Sequence, residues 1–214
     1  MNAVVDKKTR KVQQRTLDTR AAITRAALKE FADVGFAGAS TRGIAEAAGV
    51  KHTLIAHHFG GKEALWKATA KLVFGVYNER LLKRRGGLVG VDERTVLKLL
   101  LKEFILFSAE VPEFHRFMIQ ASQGEPGRLQ WLVDRFIAPG CVGEIALLSA
   151  AQEAGIFVKG DPLHLRHIFI GAATSVFTVA NEYRLLSGSS AFDESFVDEH
   201  VELVLGLFLQ KGEQ

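Results

Sequence analysis

The sequence predicts an all-α protein: an N-terminal three-helix domain built on a helix-turn-helix, plus a larger helical domain. Three observations predict it. Only four prolines interrupt 214 residues, so long stretches carry no helix breaker. No segment shows the alternation of a half-buried strand. Residues 40–65, STRGIAEAAGVKHTLIAHHFGGKEAL, read as two short helices, a tight turn between them, and the start of a third helix.

The elements follow in order. Residues 1–14 are charged, polar and aperiodic, and are expected to form a flexible basic tail. A first helix over 16–34 carries Ile23, Ala27 and Phe31 four apart, joined by Leu28 and Val34, and ends at Gly35. A second helix over 41–48 has Ile44, Ala45 and Ala48 on one face. Ser40 is placed to cap it through its hydroxyl, and Gly49 follows where a left-handed residue is cheapest. Val50 is expected to plug the space between this helix and the next. A third helix over 51–59 buries Ile55 and Phe59, which leaves Lys51, His52, Thr53, Ala56 and His57 facing outward. That is the arrangement of a helix-turn-helix whose second helix enters the DNA major groove. A fourth helix starts near Lys62 and runs toward Arg84, with Leu65, Thr69, Leu72, Val76 and Leu82 inward, until the RRGG run breaks it.

Further helices are expected over 92–110, 112–122, 127–155, 162–186 and 193–210. Pro112 and Pro162 suit first-turn positions, where a missing amide costs nothing. Pro139 either kinks the third of these stretches or splits it in two. The domains expected are therefore a tail over 1–14, a DNA-binding head over 15–62, and a body over 63–214.

Hydrophobic residues make up 48% of the chain, enough for a sizeable core. No apolar run reaches the ~18 residues of a membrane span. The opening MNAVVDKKTRKVQQRT lacks the apolar centre of a signal peptide, and the single cysteine, Cys141, excludes an intramolecular disulfide. A cytoplasmic location without membrane partners is expected. The net charge of +3 is unevenly spread: residues 1–62 hold 11 Lys/Arg against 5 Asp/Glu, a net of +6, so the remainder carries −3. A basic head on a mildly acidic body is the footprint of a nucleic-acid binder.

The IAEAAGV turn, the HHF that ends the second motif helix, the GGKEAL that opens the next, and the ALKEFADVGFAGAS end of the first helix resemble the TetR family of one-component repressors. The match is specific over 16–65 and architectural beyond it. The resemblance implies a ligand-responsive, sequence-specific transcriptional regulator, expected to be a homodimeric repressor on a roughly palindromic double-stranded operator. It implies that Arg42 contacts DNA near the motif's entry and that Lys62 meets a phosphate. Lys51, His52, Thr53 and His57 are the candidate base readers. His58 matches a position near the DNA backbone, but packing on the first helix is an equal reading. Leu54 and Ala56 depart from the pattern: the family usually has Thr or Ser, and Tyr, at these positions. Both usual residues donate to the DNA backbone and Leu54 and Ala56 cannot: either they touch thymine methyls instead, or the helix sits differently in the groove. Gly43 stands where an acid often completes a capping box, at a cost of ~1 kcal/mol relative to alanine.

In the body, the resemblance implies a pocket for a small apolar or aromatic ligand. Phe74, Tyr77, Phe104, Phe107, His115, Met118, Trp131, Phe136 and Phe177 are the candidate lining, with Gln120 and Glu153 as further polar handles. The last two long helices are expected to pair with those of a second subunit. Small residues Gly171, Ala172 and Ser175 beside Ile168 allow close approach, and Val197, Val201, Val204 and Phe208 recur four, three and four apart. No cofactor or metal is expected: the seven histidines are scattered, and His164 and His167 have no third ligand nearby. No catalytic constellation supports an enzyme. The alternative kept open is a helical ligand-binding or scaffold dimer with a degenerate DNA head.

Overall fold

The computed structural model describes residues 2–88 and 90–210. Its eleven α-helices are α1 (Asn2–Gly38), α2 (Thr41–Ala47), α3 (Thr53–Phe59), α4 (Lys62–Gly86), α5 (Glu93–Glu110), α6 (Pro112–Gln123), α7 (Pro126–Leu132), α8 (Ala138–Glu153), α9 (Pro162–Thr178), α10 (Ala180–Ser187) and α11 (Glu194–Phe208). A π-turn, Val133–Ile137, joins α7 to α8. The all-α expectation holds: among the described residues the only β-pairing is an isolated bridge between Phe157 and Leu209.

Two compact units emerge, Met1–Val73 with Phe117–Pro126, and Phe74–Arg116 with Gly127–Gln214. In the first, Ile23, Ala27 and Phe31 of α1 are fully buried, together with Ile44, Ile55 and Leu65. Phe36 and Trp66 meet edge to face at 6.5 Å, and Trp66 stacks on Phe117 at 5.3 Å. The backbone of α1 breaks at Gly35, which has φ +70; a Cβ there would also lie 2.6 Å from the Gln120 amide. Only glycine satisfies both constraints. Gln120 thus closes over the break in α1.

Sequence expectations are corrected in several places. The segment expected as a flexible tail is helical from Asn2; Met1 and 211–214 lie outside the described residues. Once the nucleus at 19–34 has formed, adding Lys, Arg and Gln residues upstream costs little, because they are good helix formers. Val34 is exposed rather than inward. In α4 the buried stripe is Leu65, Trp66, Thr69, Ala70, Val73 and Phe74, while Leu72, Val76 and Leu82 are exposed. The stripe advances in adjacent pairs every four residues, and the spacing expected from the sequence follows the wrong edge of it.

The second unit packs α5, α8, α9 and α11 around Leu97, Ile105, Leu148, Phe157, Phe169, Phe177, Val201, Val204 and Phe208. The 127–155 stretch is interrupted just before its proline by a π-turn and continues as α8. Pro139 has no amide to bond the preceding turn, and the Ala138 amide reaches back five residues to Val133, which widens that turn into the π form. The expected 162–186 helix bends by 64° between α9 and α10. Thr178 bonds its hydroxyl back to the Thr174 carbonyl there, and Val176, Thr178 and Val179 are all β-branched. No single described helix is long and apolar enough to cross a membrane.

Candidate nucleic-acid interface

The helix-turn-helix forms as its residue types require. Ser40 is extended and its hydroxyl accepts from the Gly43 amide at 3.4 Å, which caps α2. Gly49 turns left-handed at φ +67, and the Val50 amide closes the turn on the Ala45 carbonyl at 2.9 Å. Ile44, Ala45 and Ile55 are buried, whereas Phe59, expected to be buried too, is half-buried, so the fully enclosed side chain of α3 is Ile55, two residues from its start. Gly60, left-handed at φ +84, ends α3 and lets the chain enter α4.

This geometry leaves Arg42, Lys51, His52, Thr53, Ala56 and His57 exposed, while Leu54, His58 and Lys62 are half-buried. The Thr41 hydroxyl and His52 Nε2 are 3.0 Å apart, joining the start of α2 to the start of α3. An open groove runs beside this pair, lined by Ser40, Thr41, His52, Ala56 and Lys62. The Lys62 ammonium donates to the Ala37 carbonyl at 3.2 Å and lies 4.7 Å from the centre of the Phe36 ring. It therefore helps to hold the end of α1 as well as standing at the groove, and an ammonium has two further protons to give.

Arg20 is the residue that sequence reasoning missed. One of its terminal nitrogens donates to the His58 carbonyl, and its guanidinium lies 4.5 Å from the centre of the Phe59 ring. It thus satisfies a last-turn carbonyl of α3, where positive charge also complements the helix dipole. The His58 imidazole is held below its ordinary pKa by partial burial, by His57 and by Arg20. The clue lay in α1: Arg20 sits three residues before Ile23 on the buried face, where a charge needs a local partner.

In the second unit, ring contacts gather most of the aromatic residues singled out from the sequence. Phe74 stacks on Phe136 at 4.7 Å and meets Phe114 edge-on at 5.1 Å. Tyr77 touches Phe104 and Phe107, and Phe104 meets His115. Trp131 stands edge-on to Phe136 at 5.4 Å. Phe177 lies elsewhere, between Phe192 and His200, and Met118 belongs to the first unit. Glu153 is exposed on the last turn of α8.

Polar groups frame this aromatic cluster. His115 is buried, and Ser108 Oγ lies 3.1 Å from its Nε2; burial lowers its pKa to about 4, so the ring is neutral. The Ser108 hydroxyl donates to the Phe104 carbonyl at 2.7 Å and so accepts from His115. Glu103 is buried between Arg80 and Arg84, at 2.7 Å from each. Burial alone would raise its carboxyl; the hydrogen bonds from Arg84 and Arg80 outweigh that and hold it below the ordinary value. Burial also raises the Tyr77 hydroxyl, with Glu144 adding to the effect, so the phenol stays protonated.

The expected pairing face needs correction. Val201, Val204 and Phe208 of α11 are 0%, 2% and 4% exposed and belong to this subunit's own core; Val197 is half-buried against that core. A side chain already enclosed has no surface to offer a partner. The exposed apolar side of α11 is Leu203 and Leu207, at 66% and 60%. On α9, Ile168, Gly171 and Ser175 are exposed and Ala172 is half-buried.

An all-helical chain with an N-terminal helix-turn-helix has the architecture of a DNA-binding transcriptional regulator. Residues 23–69 match the model of the bacterial regulatory proteins of the tetR family. The HTH-type transcriptional regulator RutR of Escherichia coli K12 is 27% identical over 200 residues, 88% of each chain. Two solved structures share the fold. The fatty acid degradation regulator FadR of Bacillus halodurans is 21% identical, with a TM-score of 0.61 over 88% of this chain and 95% of its own. AibR, in complex with isovaleryl coenzyme A and operator DNA, is 17% identical, with a TM-score of 0.67 over 88% and 97%. Residues 23–69 are therefore a head of the tetR kind, and these likenesses support a TetR-family, DNA-binding transcriptional regulator.

Proposed function

We propose that this regulator is a homodimeric, cytoplasmic repressor that leaves a palindromic operator when a small apolar or aromatic molecule binds its body. The observation that carries the reading is α3 with the two residues before it, which buries Ile55 and exposes Lys51, His52, Thr53, Ala56 and His57 together. We take 15–62 as the DNA-binding head and the rest of the chain as the ligand-binding and dimerisation body. Each head places α3 in a major groove, with Lys51, His52, Thr53 and His57 toward base edges and Arg42, His58 and Lys62 toward the backbone. Leu54 and Ala56 supply apolar contact in place of the hydrogen bonds usual in the family. Dimerisation joins the exposed face of α9, Ile168, Gly171, Ala172 and Ser175, to Leu203 and Leu207 of α11 in a four-helix contact.

The ligand reading rests on the cluster of Phe74, Tyr77, Phe104, Phe107, Trp131 and Phe136, with His115 as its polar member. That a solved protein of this fold carries an acyl coenzyme A together with operator DNA supports ligand control. A ligand lowers operator affinity by its differential affinity for the two states. No resident cofactor or catalytic group enters this scheme.

The test is selection of an operator from randomised duplex, followed by binding titrations with and without a panel of acyl, aromatic and polycyclic compounds. A palindromic consensus, roughly tenfold weaker binding by Arg42→Ala, and release by at least one compound are expected. Failure to select any sequence leaves the chain a ligand-binding or scaffold dimer with a degenerate head. An operator whose affinity no bound compound changes removes ligand control alone.

A further inference from the structure

Residues 9–18 of α1 bury no side chain. Every residue from Thr9 to Asp18 is exposed, including the two apolar ones, Val12 at 58% and Leu17 at 60%. The family model begins only at residue 23, so this extension lies outside the shared head. Its charge is one-sided: Lys7, Lys8, Arg10, Lys11 and Arg15 stand against Asp6 and Asp18. Asp18 is engaged locally, accepting from the Gln14 amide at 2.8 Å. Lys11 and Arg15 are four apart, one helical turn, and so share a side of the helix; the sequence continues the same spacing back to Lys7.

The extension is also anchored next to the recognition helix. Arg20, where α1 first packs, bonds the His58 carbonyl at the C-terminal end of α3. At 1.5 Å per residue, Arg15 and Lys11 lie roughly 7 and 14 Å further along the α1 axis. A rigid helix therefore carries these charges outward from the last turn of the element that enters the groove. An acidic lipid surface would need an apolar stripe beside the charges. Among residues 9–18 the two apolar ones, Val12 and Leu17, stand about 140° apart on the helix and form no such stripe.

We infer that the N-terminal extension of α1 is a second DNA-binding element: Lys11 and Arg15 contact phosphates flanking the sequence that α3 reads. The inference rests on the DNA-binding reading of α3 and adds a sequence-independent contact to it.

The experiment compares the full chain with Lys11→Gln/Arg15→Gln, using a 40-base-pair duplex of random sequence and the selected operator, each titrated by fluorescence anisotropy across salt concentrations. Both side chains are exposed, so the thermal melt should not move. The expected result is weaker binding of the variant to both duplexes at low salt. The slope of log K against log salt should flatten by about 0.9 for each phosphate no longer neutralised, about 1.8 per subunit, with an unchanged selected consensus. Equal slopes for variant and wild type overturn the inference while leaving α3 as the DNA reader. A changed consensus also overturns it, by showing base rather than phosphate contact. So does capture of the wild type by anionic vesicles with no change in DNA slope. A wild type that binds neither duplex at any salt sinks the DNA-binding reading itself, and this inference with it.

Discussion

The head and the body use side chains in opposite ways. In the head, the groups suited to meeting DNA are exposed, come from two short helices and the start of a third, and lie within about twenty consecutive positions. In the body, the aromatic residues that touch one another are buried or half-buried and come from α4, α5, α6, α7, the π-turn and α9. An exposed reader can be replaced with little effect on stability, whereas a buried residue cannot be touched without repacking its neighbours. Substitutions around α3 are therefore expected to leave stability nearly unchanged, while substitutions in the aromatic cluster are tied to the stability of the body.

The largest effect is expected where head function depends on the body. If two heads are joined only through the bodies, Leu203→Asp/Leu207→Asp should separate the subunits. Operator affinity should then fall about 100-fold or more, because the second half-site is no longer held at high effective concentration. Light scattering gives the subunit mass and anisotropy the affinity; a monomeric variant that still binds operator tightly would separate the two functions. The contrasting change, Val201→Asp, should unfold the body instead, since Val201 is enclosed in its own subunit's core.

Next comes the buried acid. Glu103→Ala leaves Arg80 and Arg84 without their shared partner and should cost about 3 kcal/mol by denaturant unfolding. The same group sets an acid limit. Its carboxyl is held low in the fold, so its contribution is complete above the ordinary glutamate pKa and is lost as pH falls through the depressed value. A Glu103→Ala protein as stable as wild type at pH 7 would mean that burial cancels the pairing.

His115 gives a smaller effect with its own pH window. Its folded pKa of about 4 lies below the unfolded 6.5, so the neutral ring favours folding fully above pH 6.5. Between pH 6.5 and 4 the unfolded chain takes up a proton that the fold does not, and stability should fall by up to about 3 kcal/mol. His115→Leu should flatten stability across that window. A wild-type stability independent of pH between 6.5 and 4 would show the site to be more open than its burial indicates.

The smallest effect belongs to the head's own packing. Arg20→Ala should weaken operator binding roughly tenfold without changing the salt slope, because it removes a support of α3 rather than a phosphate contact. Arg20→Lys should recover part of the loss. A flattened slope in Arg20→Ala would make Arg20 a DNA contact.

Most of the head was legible in the sequence because its signals are local. Ser40, Gly49 and Gly60 each act through a cap or a left-handed φ within a few residues, and Ile44 and Ile55 bury as the spacing predicts. Arg20 was not legible: its partners, His58 and Phe59, lie 38 and 39 positions away, and no local pattern links them. In the body the helices were readable but their faces were not. Leu72 and Val76 on α4, and Val201 and Val204 on α11, each face the side opposite to the one their spacing suggests.

By itself, then, the sequence determined where α2 to α6 begin and end to within about two residues, that one pair forms a helix-turn-helix, and which residues around α3 stay outside. These depend on hydrogen bonds and dihedral preferences that span four residues or fewer. Only the tertiary structure decided which stripe of α4 is buried, which side of α11 is left for a partner, that Pro139 turns a helix into a π-turn, and that Arg20 holds the recognition helix. A helix apolar on two sides satisfies the same periodicity whichever side goes inward. The choice is made by the volume and shape of the helices packed against it, and no local spacing encodes these.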